Sequence, residues 1–132
     1  MKKIQKKTSF KDARGTITDI FVGEAHEHCT LIFTKKGGVR GNHYHALSRQ
    51  YDFLVSGKFQ VYSRKKGEKK VTKTLWKPHE LVSWDAGEAH EFIALEDSVW
   101  ITFVDGVRGG DDFEKDTYRL ETPLHSEKRV LH

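Results

Sequence analysis

The chain has 132 residues, the size of one domain, and 36% of them are hydrophobic, enough for one buried core without disulfide staples. A net charge of +4 admits an anionic partner, but the lysines gather in two separate places, MKKIQKK at the start and SRKKGEKK at 63–70, with no interleaved aromatic residues. That pattern argues against a nucleic-acid surface. The single cysteine, Cys29, excludes an internal disulfide, suits a reducing compartment and is expected to be a small buried hydrophobe. No apolar run approaches the ~18 residues of a membrane span. The basic opening MKKIQKKTSF leads into no apolar stretch of the kind a signal peptide needs, so a cytoplasmic protein is expected.

Helical periodicity is scarce. Short runs rich in β-branched and aromatic residues follow one another instead: TITDIFV (16–22), CTLIFT (29–34), GNHYHA (41–46), QYDFLVSG (50–57), FQVYSR (59–64), VTKTLW (71–76), ELVSW (80–84), EFIALE (91–96) and VWITFV (99–104). Many short strands at regular spacing predict an all-β antiparallel sandwich or barrel. SRKKGEKK, with Gly67 in its middle, reads as a solvated hairpin tip between two of these strands. In SVWITFV, Val99, Ile101 and Phe103 share one face and Trp100, Thr102 and Val104 the other. Both faces are apolar, which suits a strand that meets a partner subunit behind the barrel wall. Pro78 and Pro123 fall between strand-like runs. The whole chain, 1–132, reads as one domain with its barrel core at about 10–105 and a polar extension at 106–132. The extension is placed either across the barrel mouth or on a second subunit, and the chain is expected to fray from about Ser126.

The chemistry concentrates around two histidines one residue apart. A strand turns His43 and His45 to one face and Tyr44 to the other. Two imidazoles on one face suggest metal ligands, a proton-transfer pair, or chance, since an isolated H-x-H in a strand is usually two polar residues on a solvated face. Counting from Gly37, five residues precede His43, one separates His43 from His45, four lie between His45 and Gln50, and six between Gln50 and Gly57. This spacing resembles the first motif of the cupins, G-x5-H-x-H-x3-4-E-x6-G, with Gln50 where glutamate is usual. HELVSWDAGEAHEFIA is similar to the second cupin motif, G-x5-P-x-G-x2-H-x3-N, through Gly87 and His90, while His79, Asp85 and Ala94 stand at its other fixed positions.

The resemblance implies a double-stranded β-helix, or jelly roll, into which His43, His45 and His90 project, with Gln50 near enough to complete a coordination sphere. Imidazole and oxygen donors suit Zn, Ni, Mn, Fe or Cu without choosing among them. The neutral amide of Gln50 binds a cation more weakly than a carboxylate would. RGNHYHALSRQ also resembles the R-G-x-H-x-H motif of sugar 3,4-ketoisomerases, and RGNHYH the C-terminal cupin domain of capsular-polysaccharide nucleotide-sugar enzymes. FKDARGTITDI (10–20) is similar to the F-x-D-x-R-G opening of deoxysugar epimerases and ketoisomerases, and DTYRL (116–120) to the close of some members.

These resemblances imply an isomerase or epimerase that moves a proton beside the ketone of a nucleotide sugar in surface-polysaccharide synthesis. His43 or His45 suits the base, having a pKa near neutral. A metal, His90 or the Gln50 amide would stabilise the enolate. Arg14 and Arg40 could take the phosphates, or pair with surface acids instead. Tyr62 could donate a proton; Tyr51, alternating with Gln50, is expected outside the barrel. Asp52 shares the face of Gln50 and would orient a histidine or pair with an arginine. Two other readings stand beside this one: a metal-dependent cupin oxygenase or isomerase on another small molecule, and a non-catalytic ligand-binding cupin. A homodimer that covers exposed strand edges is expected.

Overall fold

The structure, a computed structural model, describes residues 1–106 and 115–126 and the backbone of 130–131. Its strands are β1 (Lys2–Gln5), β2 (Phe10–Asp12), β3 (Gly15–Ile17), β4 (His28–Thr34), β5 (Val39–Tyr44), β6 (Arg49–Ser56), β7 (Phe59–Arg64), β8 (Val71–Trp76), β9 (Glu80–Trp84), β10 (Ala89–Ala94), β11 (Ser98–Asp105), β12 (Tyr118–Arg119) and β13 (Val130–Leu131). One sheet runs β1-β9-β6-β11-β4 and the other β12-β5-β10-β7-β8-β13, while β2 and β3 form a separate hairpin. All pairings are antiparallel except that of β13 with β8. This is the expected jelly roll. Among the described residues the only helical element is a 3-10 turn at Leu124–Ser126, and no helix is long and apolar enough to cross a membrane.

Alternation dictates which side chains fill the roll. Along β11, Trp100, Thr102 and Val104 are buried, while Val99, Ile101 and Phe103 sit half-buried on the outer face. The inner residues of the two sheets meet in one core that includes Leu54, Phe59, Val61, Trp76, Val82, Trp84, Phe92 and Trp100. Each such side chain contributes roughly 1.5–3 kcal/mol by leaving water. The three indoles are also satisfied as donors: Trp76 Nε1 to the Glu80 carbonyl (2.8 Å), Trp84 Nε1 to Asp52 Oδ2 (2.8 Å) and Trp100 Nε1 to Thr34 Oγ1 (3.1 Å). These bonds fix ring orientation as well as burial.

Several expectations need correction. TITDIFV forms strand only at its start, Thr16 and Ile17, because these two residues pair with Lys11 and Phe10 in the short β2–β3 hairpin and the chain leaves the sheet after them. The strand expected at 91–96 lies at 89–94. The basic opening is the edge strand β1, registered on β9 with Ile4 opposite Leu81. Cys29 is exposed, since it shares the outward face of edge strand β4 with Leu31 and Phe33. The expectation of fraying from Ser126 falls largely outside the described residues, but the backbone of Val130–Leu131 pairs with β8. Residues 115–126 lie on the roll itself: β12 pairs with β5, and the Leu120 N–H bonds the Asn42 carbonyl at 2.8 Å.

One close approach holds the two motif strands together. Gly41 on β5 faces Glu91 on β10 with φ +90°, and a Cβ there would stand 2.6 Å from the His90 carbonyl oxygen. Only glycine fits without parting the strands. Gly41→Ala is therefore expected to lower stability by roughly 1–3 kcal/mol, read as a lower urea midpoint. An unchanged midpoint would show that β5 and β10 have slack to absorb the methyl.

Candidate functional site

The antiparallel register of β5 and β10 sets His43 directly opposite His90. Asn42, with φ +58°, and a register irregularity after His90 bend β5 at this point. The bend is anchored from outside the barrel. Asn42 Nδ2 donates to Glu91, and Asn42 Oδ1 accepts the Leu124 N–H at 3.0 Å. Glu91 in turn holds the His125 N–H and ring at 3.0 Å. His45 follows two residues later on the inner side, and its carbonyl accepts the Gly87 N–H at 2.6 Å. The turn of the second motif is thus bonded to the strand of the first.

The three imidazoles converge. Ring centroids lie 4.8 Å apart for His43 and His45, 4.9 Å for His43 and His90, and 5.6 Å for His45 and His90. One ring nitrogen from each comes within 4.8 Å of the others, close enough for a shared ligand. His45 is buried, and its Nδ1 lies 2.9 Å from the Asp116 carbonyl. A carbonyl only accepts, so Nδ1 carries the proton and Nε2 of the neutral ring keeps its lone pair. His90 is 1% exposed, packs on Trp84 with centroids 4.7 Å apart, and neither of its ring nitrogens has a well-formed hydrogen bond. Burial pushes its pKa well below the ordinary 6.5, and the neighbouring His43 and His45 lower it further.

Gln50 and Asp52 lie on the inner face of β6. Asp52 is fully buried, and its Oδ2 accepts both Gln50 Nε2 and Trp84 Nε1, each at 2.8 Å. Carboxylate oxygens only accept, so this contact fixes the amide with its nitrogen toward Asp52. Gln50 Oε1 is then a buried acceptor with no hydrogen-bond partner. Buried polar atoms are rarely left so, and Gln50 Oε1 and the His90 nitrogens together mark a place for a donor or a cation. Asp52 therefore orients Gln50, where the sequence suggested a histidine or an arginine.

A cavity of about 330 Å³ opens beside this cluster, lined by Arg40, His43, Gln50, Phe92, Trp100 and Arg119 among others. Arg40 is steadied by Thr34 Oγ1 (2.8 Å) and the Phe33 carbonyl (2.9 Å). Arg119 stands opposite His43 on β12. The sequence points to it only through the DTYRL segment, whose resemblance carries no residue role. Arg14 is not brought to the cavity: its guanidinium lies on Asp12 at 2.6 and 3.0 Å in the β2–β3 hairpin. Tyr62 is also elsewhere, outside the roll near His125 and packed on the cluster of Val71, Ala89 and Leu124, because alternation gives the inner positions of β7 to Phe59, Val61 and Ser63. Tyr51 packs outside against Phe21 and His26.

The sign of the His90 shift gives a pH dependence. Above about pH 6.5 the ring is neutral in both folded and unfolded chains. Below it the unfolded chain takes up a proton that the folded chain resists, so stability falls as pH falls, by at most ~1.4 kcal/mol per pH unit. Urea midpoints of chelator-treated protein are expected to drop on acidification through this range, and His90→Asn to flatten that slope. An equally steep slope in the variant would assign the effect to other groups.

No family model and no curated protein matches the chain in sequence. Solved structures do match its coordinates. The capsular polysaccharide assembling protein CapF of Staphylococcus aureus is 26% identical over 86% of this chain, with a TM-score of 0.65, and the match covers 32% of CapF. The chain thus spans about a third of that protein. A dTDP-4-dehydrorhamnose 3,5-epimerase of Sulfolobus tokodaii is 23% identical over 92% of this chain and 79% of its own, with a TM-score of 0.70. The dTDP-6-deoxy-D-glucose-3,5-epimerase RmlC of Legionella pneumophila, solved in complex with dTDP-4-keto-L-rhamnose, is 13% identical over 98% of this chain and 81% of its own, with a TM-score of 0.73. Together with the histidine motifs and the two-sheet roll, these likenesses give the chain an RmlC-like cupin fold.

Proposed function

We propose that this protein is an isomerase or epimerase of a keto-sugar nucleotide in surface-polysaccharide synthesis. The observation that carries this reading is His43 on the wall of a cavity that Arg40 and Arg119 also line. A C–H beside a ketone is acidic enough for a base of near-neutral pKa, and an imidazole meets that need. His43 reaches the cavity and takes the proton; His45 and His90 stand behind it. Return of the proton to the opposite face of the same carbon is epimerisation, and return to the neighbouring carbon moves the ketone. Two guanidinium groups suit a diphosphate, which each can grip through paired N–H donors. Structural likeness to dTDP-sugar epimerases and to CapF supports the substrate class.

A divalent metal fits the same cluster, and one set of observations favours it: the His45 Nε2 lone pair, the unsatisfied His90 nitrogens and the unpartnered Gln50 Oε1. His43, His45, His90 and Gln50 would hold the ion, with Zn, Ni, Mn and Fe all compatible. When bound, it would supply a Lewis acid for the enolate oxygen. Asp52, hydrogen-bonded to Gln50, would supply negative charge from one residue behind the ligand shell.

We also propose a homodimer formed through the outer face of β4 and β11. Leu31 is 72% and Phe33 53% exposed there, beside the half-buried Val99, Ile101 and Phe103. A second copy would cover both this apolar face and the open edge of β4. Light scattering is expected to give a dimer mass, and Leu31→Lys with Phe33→Lys a monomer. A monomeric wild-type protein removes this part of the reading.

The enzymatic reading is tested with a dTDP-4-keto-6-deoxy sugar in D2O. Deuterium is expected to enter beside the ketone, and His43→Ala to slow its entry by ~10²–10⁴-fold. Arg119→Ala is expected to weaken nucleotide-sugar binding while leaving the fold intact. Metal analysis of the purified protein, with and without chelator in the same assay, separates the metal-assisted route from the metal-free one. The reading fails if no nucleotide sugar shifts the melting temperature and no deuterium enters.

A further inference from the structure

The histidine cluster is not completed by the barrel strands alone. Asp116, 68–71 residues away along the chain from the groups it binds, is 2% exposed and sits just beyond the end of β5. Its carboxylate gathers three consecutive backbone N–H groups. Oδ1 accepts from Ala46 (3.1 Å) and Leu47 (3.2 Å), and Oδ2 from Leu47 (3.0 Å) and Ser48 (2.8 Å). Successive N–H groups that converge in this way form an anion-binding nest. The main-chain carbonyl of the same residue accepts Nδ1–H of His45 at 2.9 Å. One residue therefore clamps the turn that follows His45 and also supplies the acceptor that decides which ring nitrogen carries the proton.

The segment after Asp116 reinforces the clamp. Tyr118 and Arg119 pair with Tyr44 and His43, and the Tyr118 ring stacks on Tyr44 with centroids 5.2 Å apart and planes at 13°. These pairings dock residues 118–119 on β5, two residues beyond Asp116, while His45 directly follows the same strand.

We propose that Asp116 is a positioning residue for His45. Its side chain anchors the segment so that its carbonyl holds His45 in the Nδ1–H tautomer, with the Nε2 lone pair turned to His43 and His90. The functional weight of this arrangement rests on the proposed proton-transfer or metal role of the cluster, but the tautomer itself does not. A partner that fixes an imidazole tautomer also raises the quality of its other nitrogen as a base or ligand.

The test reads the ring directly. Long-range proton–nitrogen NMR of protein with ¹⁵N-labelled histidine, recorded without metal or substrate at mildly alkaline pH, is expected to show His45 protonated at Nδ1 and bare at Nε2. Asp116→Ala is expected to convert this to a mixture of tautomers, and Asp116→Asn, which keeps one oxygen acceptor, to shift it in the same direction by less. Near-ultraviolet circular dichroism checks that each variant is folded. If the alanine variant does not fold, the asparagine variant decides. An unchanged His45 pattern in a folded variant overturns the proposal. Zinc titration of the folded variants is a second readout, with a ~10–100-fold loss of affinity expected if the cluster binds metal. A wild-type protein that neither brings deuterium into the keto sugar nor binds zinc would sink the functional reading and leave the tautomer result standing.

Discussion

The site depends on one strand pairing. Antiparallel register between β5 and β10 places His43 opposite His90, and the closeness of that pairing rests on the missing side chain at Gly41. Every other element of the site is arranged around this contact. The bend at Asn42 carries the chain from Gly41 to His43 without losing the pairing, and Glu91 holds the bend from outside through Asn42 and His125. His45 then follows on the same strand side, within reach of both partners. A slip of one residue would turn the ring of His43 out of the roll and put Asn42 or Tyr44 in its place.

Charge is distributed in an unusual way for a cluster that could hold a cation. The cluster offers three imidazoles, and burial together with the neighbouring His43 and His45 pushes the pKa of His90 down. The Asp52 carboxylate lies one layer back, bonded to the Gln50 amide, which itself lines the cavity. A glutamate at position 50, as in the usual cupin motif, would set two carboxylates within hydrogen-bond distance in a buried place. One of them would have to stay protonated. Glutamine removes that conflict, and Asp52 orients it by accepting its N–H. On the far side of the cluster a second buried carboxylate, Asp116, is tied to backbone N–H groups. Burial alone would raise its pKa, but the donors at Ser48, Leu47 and Ala46 outweigh that and bring it below the ordinary carboxylate value.

The second cupin motif shows how a fold survives substitutions that hide it in sequence. The motif has glycine where this chain has His79, and His79 adopts φ +67°, the left-handed conformation that glycine would take at lower cost. Its N–H still bonds the Leu54 carbonyl at 2.7 Å, and its ring stacks on Phe53 with centroids 5.9 Å apart. Asp85 stands at the motif's proline position, and its carbonyl and N–H close the turn onto Glu88. Gly87 keeps its own role, donating to the His45 carbonyl. The backbone path is retained while most of the motif's letters have changed.

Local pattern made much of this molecule readable: eight of the nine expected runs lie largely within strands, since alternation and β-branched content report burial on one face of a strand. The spacing of His43 and His45 fixed their common side for the same reason. His90 could be named because a turn glycine three residues before it marks where its strand begins. What the sequence could not carry was which distant groups share a place. Arg14 and Arg119 look alike in composition, yet one is bound to Asp12 in an outlying hairpin and the other stands across from His43. Asp52 shares its acceptor oxygen between Gln50 on its own strand and Trp84 on another, and the partners of Asp116 lie dozens of residues away. Periodicity is a property of neighbours along the chain, whereas the choice of partner across a cavity is made by the packing of sheets, and that choice belongs to the tertiary structure.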